Sequence, residues 1–307
     1  MADRHRPVEC PVSNALFPVR GPVTTRFAPS PTGPLHLGHV AAAFFAGRHA
    51  GSNGRFLLRI EDIDTRRCRK RFVDETLEDL TWVGLRWDGP VIRQSARMVL
   101  YRETLAGLAA RGLVYPCFCT RAEIAREVME AASAPHHAPD GSLVYPGICR
   151  GLDAETRARR IASGQSYALR LDVARAVGTT GRGPLTFRDL DRGVVTCDPV
   201  AFGDVVLARR DVPVSYNLCV TQDDAAQGVT LVTRGVDLRN ITAIHRLLQE
   251  LMGWPVPDYA FHPLLCDAAG KRLSKRSGAL SVRAMREAGM SAEAVRQAAG
   301  VRDSLRT

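Results

Sequence analysis

The sequence predicts an α/β protein built on a parallel sheet with helices on its faces. Apolar runs that resemble buried strands, Val23–Phe27 and Arg55–Ile60, alternate with segments of helical character, Leu37–Ala50 and Phe72–Val83. The hydrophobic fraction of 45% and the charged fraction of 24% are those of an ordinary globular protein. Because strands that alternate with helices pair in parallel, these observations together favour a parallel sheet.

The later elements complete this sheet around an insertion. Met98–Arg111 is an amphipathic helix that Gly112 can terminate. From about Tyr115 to Pro184 the alternation breaks down, which predicts an insertion between two halves of the sheet. A loop at Cys266–Ala279 and two short helices close the chain. The other predicted elements are strands at Tyr167–Leu171, Leu185–Leu190, Val205–Ala208 and Val229–Thr233, and helices at Val214–Ala226 and Asn240–Met252.

Charge and hydropathy limit the classes of partner. The chain of 307 residues carries a formal net charge of +10, which favours a polyanionic partner such as a nucleic acid. Only three of its cations are lysines, so part of this excess reflects a bias toward arginine. The longest apolar run, Val40–Ala46, is too short to span a bilayer, and Met1–Arg20 lacks the apolar core of a signal peptide. We therefore expect a cytoplasmic monomer with no membrane partner.

The stretch Arg26–His39, R-F-A-P-S-P-T-G-P-L-H-L-G-H, is the most informative part of the chain. A strand, a proline-rich turn and a helix place a helix N-terminus at the carboxyl end of a strand, where α/β sheets bind ligands. The amide groups and the dipole of that helix attract phosphate. His36 and His39 lie one helical turn apart, and Gly38 lets a flat ring approach the backbone closely.

This stretch resembles the HIGH element of class I aminoacyl-tRNA synthetases in the form found in the glutamyl branch. The resemblance implies a Rossmann-type parallel sheet and an ATP site at His36, Gly38 and His39, with Mg²⁺ assisting the chemistry. For the H-L-G-H tetrapeptide alone, a histidine-bearing helix cap is an equally good interpretation. The longer stretch is far more specific.

A second motif, K-R-L-S-K-R-S-G at residues 271–278, resembles the KMSKS loop of the same enzymes, with Arg272 in place of the first lysine. Activation of a carboxylate by ATP drives negative charge onto the departing pyrophosphate, which positioned cations stabilise. Lys275 is our candidate for the main contact, because a compact ammonium suits one phosphate oxygen. Ser274 joins it in the predicted ATP site. A solvated basic turn is the alternative for this loop taken alone.

The resemblance also implies an amino-acid site. In the glutamyl family, the residues that surround bound glutamate match Arg26, Ser30, Glu61, Tyr216 and Arg234 of this chain. A dicarboxylate needs two cationic anchors, and arginine binds carboxylates through paired hydrogen bonds. Glu61 follows a predicted strand and can receive the substrate ammonium. For any one of these residues alone, a surface salt bridge is the commoner explanation.

Three cysteines cluster in the sequence as Cys117-Phe118-Cys119 and Cys149. In a cytoplasmic protein they suggest structural zinc, which takes four ligands. The fourth ligand could be Tyr145 or one of His136, His137 and Asp140, and histidine is the better ligand on general grounds. A C-x-C pair followed by Y-x₃-C resembles the zinc site of a small group of truncated synthetase-like proteins, which favours Tyr145. Core cysteines without a metal are the alternative.

The resemblance extends from about residue 22 to about residue 290 and divides the chain into five segments. Glutamyl-tRNA synthetases continue past the lysine loop with a helical anticodon-binding region, so we expect no anticodon-binding domain here. The predicted segments are a variable extension at 1–20, the first half of a Rossmann-type catalytic domain at 21–115, an inserted zinc-bearing, acceptor-like subdomain at 116–184, the second half at 185–255, and the lysine loop with a short C-terminal helical segment at 256–307.

The short C-terminal segment and the tyrosine-containing cysteine cluster resemble the glutamyl-Q tRNA(Asp) synthetases. Members of that family activate L-glutamate with ATP without needing tRNA, then transfer it to the queuosine base at the anticodon wobble position of tRNA(Asp). Val220 agrees with this resemblance, because glutamyl-tRNA synthetases typically carry asparagine at that position. Three alternatives stay open: a truncated glutamyl-tRNA synthetase that charges a tRNA 3′ end, a nucleotidylyltransferase that adenylates another acidic molecule, and a non-catalytic zinc-bearing RNA-binding paralogue.

Overall fold

The structure is a computed structural model that describes residues 17–19, 21–130, 137–181, 183–209, 212–265 and 280–301. Most of the predicted N-terminal extension lies outside these residues, and so does the predicted lysine loop with Ser274 and Lys275. Within the described residues, no helix is long and apolar enough to cross a membrane.

The helices and strands are numbered here in chain order. The strands are β1 Thr24–Phe27, β2 Arg55–Ile60, β3 Ile92–Arg93, β4 Val114–Cys117, β5 Ala168–Leu171, β6 Thr186–Asp189, β7 Gly193–Thr196, β8 Val206–Arg209, β9 Leu231–Gly235 and β10 Asp258–His262. The α-helices are α1 Leu37–Ala50, α2 Lys70–Trp82, α3 Met98–Ala110, α4 Arg121–Glu130, α5 Ala154–Ala162, α6 Val173–Gly178, α7 Tyr216–Ala226, α8 Thr242–Met252, α9 Val282–Glu287 and α10 Ala292–Ala298.

The predicted parallel sheet is confirmed. Strands β1, β2 and β3 pair in parallel, and β10 pairs in parallel with both β9 and β6, while β7 joins β6 as an antiparallel edge. The amide of Thr230, just before β9, donates to the carbonyl of Thr24 in β1 at 3.0 Å. This hydrogen bond places the edge of the four-stranded sheet against the edge of the three-stranded one.

The order of the strands creates a crevice at the carboxyl ends of β1 and β9. From β1 the chain passes through α1 to β2 on one side, and from β9 it passes through α8 to β10 on the other side. Because the two connections run in opposite directions, the helices diverge and leave the strand ends uncovered between them. Open α/β sheets bind ligands at such a point.

Strands β4 and β5 pair with β8, which follows β6 and β7 in the chain, in a separate antiparallel sheet. The strands predicted at Tyr167–Leu171 and Val205–Ala208 therefore belong to this sheet and not to the parallel one. The apolar face of the antiparallel sheet packs with α3, α7 and α8 in one hydrophobic cluster that includes Leu113, Leu171, Leu207 and Leu247. A second large cluster packs α1 against β1, β2 and the C-terminal helices α9 and α10. The crevice therefore lies on a scaffold with a core on each side.

Two differences from the sequence-based expectations have a clear physical cause. The strand predicted at Val229–Thr233 begins two residues later, because the Val229 amide still donates to the Asp224 carbonyl at the end of α7, at 2.9 Å. Strand β10 was not predicted, because its polar ends and the prolines before it conceal a short buried run. Helix α1 and strand β2 have the predicted bounds.

Candidate active site

His36 and His39 form a reciprocal cap at the start of α1. The Nδ1 atom of His36 accepts from the Gly38 amide, and the Nδ1 atom of His39 accepts from the His36 amide, both at 3.1 Å. Since both Nδ1 atoms accept, each neutral ring carries its proton on Nε2, where it can donate to an anion. A Cβ atom at Gly38 would lie 2.9 Å from Cε1 of His36, so this turn requires glycine.

The first cavity, of about 230 Å³, lies at the carboxyl ends of β1 and β9. Seven of the residues predicted from the sequence line it together, although they come from separate parts of the chain. These residues are Arg26, His36, Gly38, His39, Glu61, Tyr216 and Arg234.

Arg26 is buried in this cavity with its charge already balanced. Its Nε donates to Oδ1 of Asp224 at 2.8 Å, one terminal nitrogen donates to Oδ2 of Asp224 at 3.2 Å, and the other donates to the Thr233 carbonyl at 2.9 Å. Asp224 also accepts from Arg59 at 2.8 Å. Burial opposes ionisation of Asp224, but the two guanidinium groups outweigh it and hold the pKa of that carboxyl below its usual value.

Arg234 is equally buried but lacks such a counterion. Its guanidinium donates to Oγ1 of Thr242 at 2.5 Å and to Nδ1 of His245 at 2.9 Å, and its Nε donates to no acceptor among the described residues. His245 can accept because burial and the nearby Arg234 charge lower its pKa well below the usual value, while its Nε2 faces Oδ1 of Asn217 at 2.9 Å. Within the described residues, no carboxylate pairs with Arg234. Its guanidinium is therefore a buried cation that an anionic ligand could neutralise.

Glu61 supplies the opposite charge. Its side chain is buried, and its Oε1 accepts no hydrogen bond from the described residues; the nearest cation, Arg59, lies 3.7 Å away. Burial raises the pKa of Glu61 to about 7, even though Arg59 and Arg26 oppose the shift. Tyr216 is a neutral donor beside it, because burial raises the pKa of its phenol to about 12. The first cavity thus offers a cation, an ionisable carboxyl and a hydroxyl.

A second cavity, of about 510 Å³, adjoins the first and shares Glu61 and Tyr216 with it. Ser30, predicted in the amino-acid site, is exposed and lines this second cavity. Gln94 also lines it, and Arg170 and Cys119 lie in its wall toward the cysteine cluster. The two cavities therefore form one path from the helix start of α1 to the cysteines.

The cysteine cluster is assembled as the sequence suggested. The ligand atoms of Cys117, Cys119 and Cys149 all lie within 4.8 Å of one another, and Sγ of Cys119 is 3.4 Å from Sγ of Cys149. The hydroxyl of Tyr145 lies 3.5 Å from Sγ of Cys119 and accepts from the Cys149 amide at 2.8 Å.

The donor set of the cluster fits zinc, which prefers thiolates in a four-ligand site. Burial opposes ionisation of Cys149, but hydrogen bonds from Phe118 and from neighbouring side chains outweigh it and lower the pKa of that thiol. Of the other candidate fourth ligands, His137 and Asp140 are exposed and do not join the cluster, and His136 lies outside the described residues. Tyr145 is the candidate that the geometry brings to the sulfurs.

Sequence reasoning missed several residues of the first cavity. Asp237 and His262 line it, and a Cβ atom at Gly235 would lie 2.4 Å from Oδ1 of Asp237. Glu61 was proposed because it follows a strand, and the same reasoning applied to the end of β9 would have selected Asp237.

The catalytic-domain family of class I tRNA synthetases for glutamate and glutamine matches residues 22–302 of the chain. The chain belongs to this family. A glutamyl-Q tRNA(Asp) synthetase of Rhodobacter capsulatus is 48% identical, and the match covers 90% of this chain and 99% of that protein. A glutamate–tRNA ligase of Aquifex aeolicus is 40% identical over 89% of this chain and 55% of that protein.

A solved glutamate–tRNA ligase of Elizabethkingia meningosepticum, in complex with its amino acid, superposes with a TM-score of 0.68 at 30% identity. The match covers 84% of this chain and 53% of that one, so the chain spans about half the length of this solved ligase. These relatives confirm the resemblance to the synthetase family and assign the chain to the aminoacyl-tRNA synthetase-like ligases.

Proposed function

We propose that the protein activates L-glutamate with ATP without needing tRNA, then transfers it to the queuosine base at the wobble position of tRNA(Asp). The observation that carries this proposal is that one cavity is lined by both Arg234 and Glu61. Among the described residues, Arg234 has no carboxylate partner and Oε1 of Glu61 accepts no hydrogen bond. The name and 48% identity of the Rhodobacter capsulatus relative support the choice of acceptor.

Glutamate has two carboxylates and one ammonium, and the first cavity matches them in number. Arg234 would bind one carboxylate and Arg26 the other, since three of the five N–H groups of Arg26 are occupied and two are left to donate. Glu61 would receive the ammonium, and Tyr216 and Ser30 would donate hydroxyl groups. Buried charge pairs of this kind hold a ligand strongly, because either partner alone would be left without compensation.

ATP would bind over the N-terminus of α1, with its phosphates near Nε2 of His36 and His39 and its ring against Gly38. A carboxylate oxygen of glutamate attacks the α-phosphorus, the bond to the leaving oxygen breaks, and pyrophosphate departs with the developing negative charge. Mg²⁺ bound with ATP would supply further positive charge to that leaving group. The caps on both histidines fix their orientation before ATP arrives.

Ser274 and Lys275 would reach the same phosphates. They lie outside the described residues, but both flanks of their segment border the first cavity. Leu264 and Leu265 line it on one side, and on the other Ser281 forms a bridge with His36 while the Val282 amide donates to the Leu35 carbonyl at 2.9 Å. A segment with both ends beside the cavity is well placed to deliver a cation to pyrophosphate.

The transfer step would use the second cavity. A ring hydroxyl of the modified base attacks the activated carbonyl carbon, the bond from that carbon to the phosphate oxygen breaks, and AMP leaves as the hydroxyl proton passes to solvent. Positioning alone can account for much of such a step. In this proposal, the segment 116–184 with zinc at Cys117, Cys119, Tyr145 and Cys149 forms the inserted acceptor-binding subdomain, and β8 from the later part of the chain completes its sheet.

Pyrophosphate exchange tests this proposal directly. Labelled pyrophosphate should enter ATP when glutamate is present and tRNA is not, and other amino acids should support no exchange. A His39→Ala variant should lose this exchange, whereas Arg188→Gln, which alters an ion pair with Asp258 outside both cavities, should keep it. Labelled glutamate should then appear on tRNA(Asp) that carries queuosine. Exchange that requires tRNA, or glutamate bound at the 3′ end of tRNA(Glu), would show an ordinary glutamyl-tRNA synthetase instead.

A further inference from the structure

Gln94 is a fully buried residue in the wall of the second cavity, and one of the two polar atoms of its amide has no hydrogen-bond partner among the described residues. Its Nε2 donates to Oδ2 of Asp223 at 2.9 Å. Its Oε1 is buried and accepts no hydrogen bond from the described residues. Leaving a buried acceptor unsatisfied costs roughly 1–3 kcal/mol, so a ligand that brings a donor to this atom would recover that cost.

The orientation of the Gln94 amide is fixed by its partner. Asp223 is a carboxylate and can only accept, and it also receives the hydroxyl of Tyr101 and Nε of Arg97, both at 2.7 Å. The amide nitrogen of Gln94 must therefore face Asp223, which turns Oε1 to the opposite side. Gln222 and Gln249 also have unpartnered Oε1 atoms, but neither lines the first or the second cavity.

The second cavity changes in character from its interior to its rim. Its lining includes Glu61 and Tyr216, which it shares with the first cavity, and Gln94, whose amide nitrogen is taken up by Asp223. At its rim lie the exposed arginines Arg67, which pairs with Asp64, and Arg121. A ligand that fits this gradient carries neutral hydroxyl groups on a ring at one end and phosphates at the other.

The basic residues that follow Arg67 lie at the N-terminus of helix α2, where positive charge is unfavourable. Helix α2 begins with Lys70 and Arg71 after Arg69, and its first turn contains no acidic residue and no side-chain cap. Cations at a helix N-terminus oppose the macrodipole and cost stability. Lys70 already pairs with Asp74, so the approach of an RNA backbone to the second cavity would offset this cost mainly at Arg69 and Arg71, which its phosphates would neutralise.

We propose that the second cavity binds the acceptor nucleoside and that Oε1 of Gln94 accepts a hydrogen bond from a hydroxyl group on its ring. This inference rests on the proposed function, because the second cavity would hold the acceptor nucleoside next to the activated carboxyl of glutamate. Gln94 is then a specificity-determining residue, because a base without that ring leaves its buried oxygen unsatisfied.

Binding of two anticodon stem-loops tests this inference. One stem-loop carries queuosine at the wobble position and the other carries guanosine, and the dissociation constant of each is measured without ATP. The wild-type protein should prefer the queuosine stem-loop. Gln94→Leu should reduce that preference by about 5- to 10-fold, the worth of one hydrogen bond to a buried acceptor. Gln222→Leu is the matched control, a buried glutamine beside Asp223 but outside the cavity, and should leave the preference unchanged.

Further variants and a separate assay make each outcome interpretable. Gln94→Met keeps the length of the side chain and should give the same loss if Gln94→Leu does not fold. Arg121→Gln should weaken both stem-loops equally and lower the salt dependence of binding, as expected for a phosphate contact. An unchanged preference in a folded Gln94 variant would overturn the inference. Missing glutamate-dependent exchange in the wild-type protein would instead refute the proposed function and leave this binding result standing.

Discussion

The first cavity and the cysteine cluster are held together in different ways. Around the first cavity, buried charges of both signs meet: Arg59 is fully buried and lies within 4.0 Å of carboxylate oxygens of Glu61, Asp223 and Asp224. In the cysteine cluster, three thiols and a phenol converge, and among the described residues they contact one another through hydrogen bonds rather than ion pairs. The first region is therefore held by ion pairs within the chain, whereas the second gathers the donor set that a metal ion would bind.

Because the first cavity is built from ion pairs and the cysteine cluster from metal-binding groups, we expect the two regions to contribute to different properties of the protein. The charge network joins Arg26 and Arg59 to Asp223 and Asp224. Among the described residues it leaves Arg234 without a carboxylate partner and Oε1 of Glu61 without a hydrogen bond, and these are the two groups that we expect a ligand to engage. The cysteine cluster instead gathers thiols, the ligands that zinc prefers. We therefore expect damage to the cluster to affect the local fold and the acceptor step, and damage to the network to affect glutamate binding and global stability.

Removal of the metal is expected to have the largest effect. The purified protein should contain one zinc per chain, and a zinc-selective chelator should expose the backbone around residues 115–119 and 145–150 to hydrogen exchange. Structural zinc supplies on the order of 10 kcal/mol in small domains, so this local loss should be nearly complete. Glutamate-dependent pyrophosphate exchange should change by no more than about twofold once Mg²⁺ is restored.

Two cysteine variants control that experiment. Cys149→Ser should bind less than a full equivalent of zinc, while Cys197→Ser, a half-buried cysteine outside the cluster, should bind one. If chelation abolished glutamate activation as well, the two regions would not be independent, and the comparison would be wrong.

Replacing Arg234 should have the next largest effect. Arg234→Gln should raise the KM for glutamate by about 100-fold, because a lost charge-assisted pair in a buried site costs roughly 3 kcal/mol. The melting temperature should not fall, since this guanidinium is buried without a carboxylate partner in the described residues and its removal relieves a desolvation cost. A marked loss of stability without a change in KM would show that Arg234 is structural.

The sequence predicts the first cavity better than the network that supports it. The bounds of α1 and β2 follow from apolar runs, of which the first ends before Gly51 and the second begins after Gly54, and the strand-turn-helix order places His36 and His39. The partner of Arg26 lies 198 residues away, in a helix whose acidic residues resemble a solvated face. Burial of Asp223 and Asp224 depends on tertiary packing, which no local pattern in α7 indicates.

Breaking the network at Asp224 tests its role in stability. Asp224→Asn removes the negative charge between Arg26 and Arg59, which are both buried, so we expect a loss of about 3 kcal/mol in the free energy of unfolding. Asp74→Asn is the matched control, because its ion pair with Lys70 is exposed and should contribute less than about 0.5 kcal/mol. Urea unfolding of the two variants measures the difference, and equal losses would contradict the role of the network.

The smallest effect concerns the ionisation of Glu61. Burial raises its pKa to about 7, so its carboxyl is mostly protonated at pH 6 and mostly ionised at pH 8. Only the ionised form pairs with an ammonium, so glutamate should bind more tightly as the pH rises through 7, by about tenfold from pH 6 to pH 8. Both carboxylates and the ammonium of glutamate keep their charge over this range, and His245 stays neutral because its pKa is lowered.

Calorimetry of glutamate binding without ATP measures the ionisation of Glu61 without a contribution from ATP bound at the histidines. Binding should release close to one proton at pH 6 and almost none at pH 8, because the substrate ammonium favours the ionised form of Glu61. The measured heat at pH 6 should therefore change with the ionisation enthalpy of the buffer. Glu61→Gln should bind weakly at both pH values and release no proton. A wild-type affinity that is flat with pH would mean that Glu61 is already ionised, and that the first cavity balances its charges without a ligand.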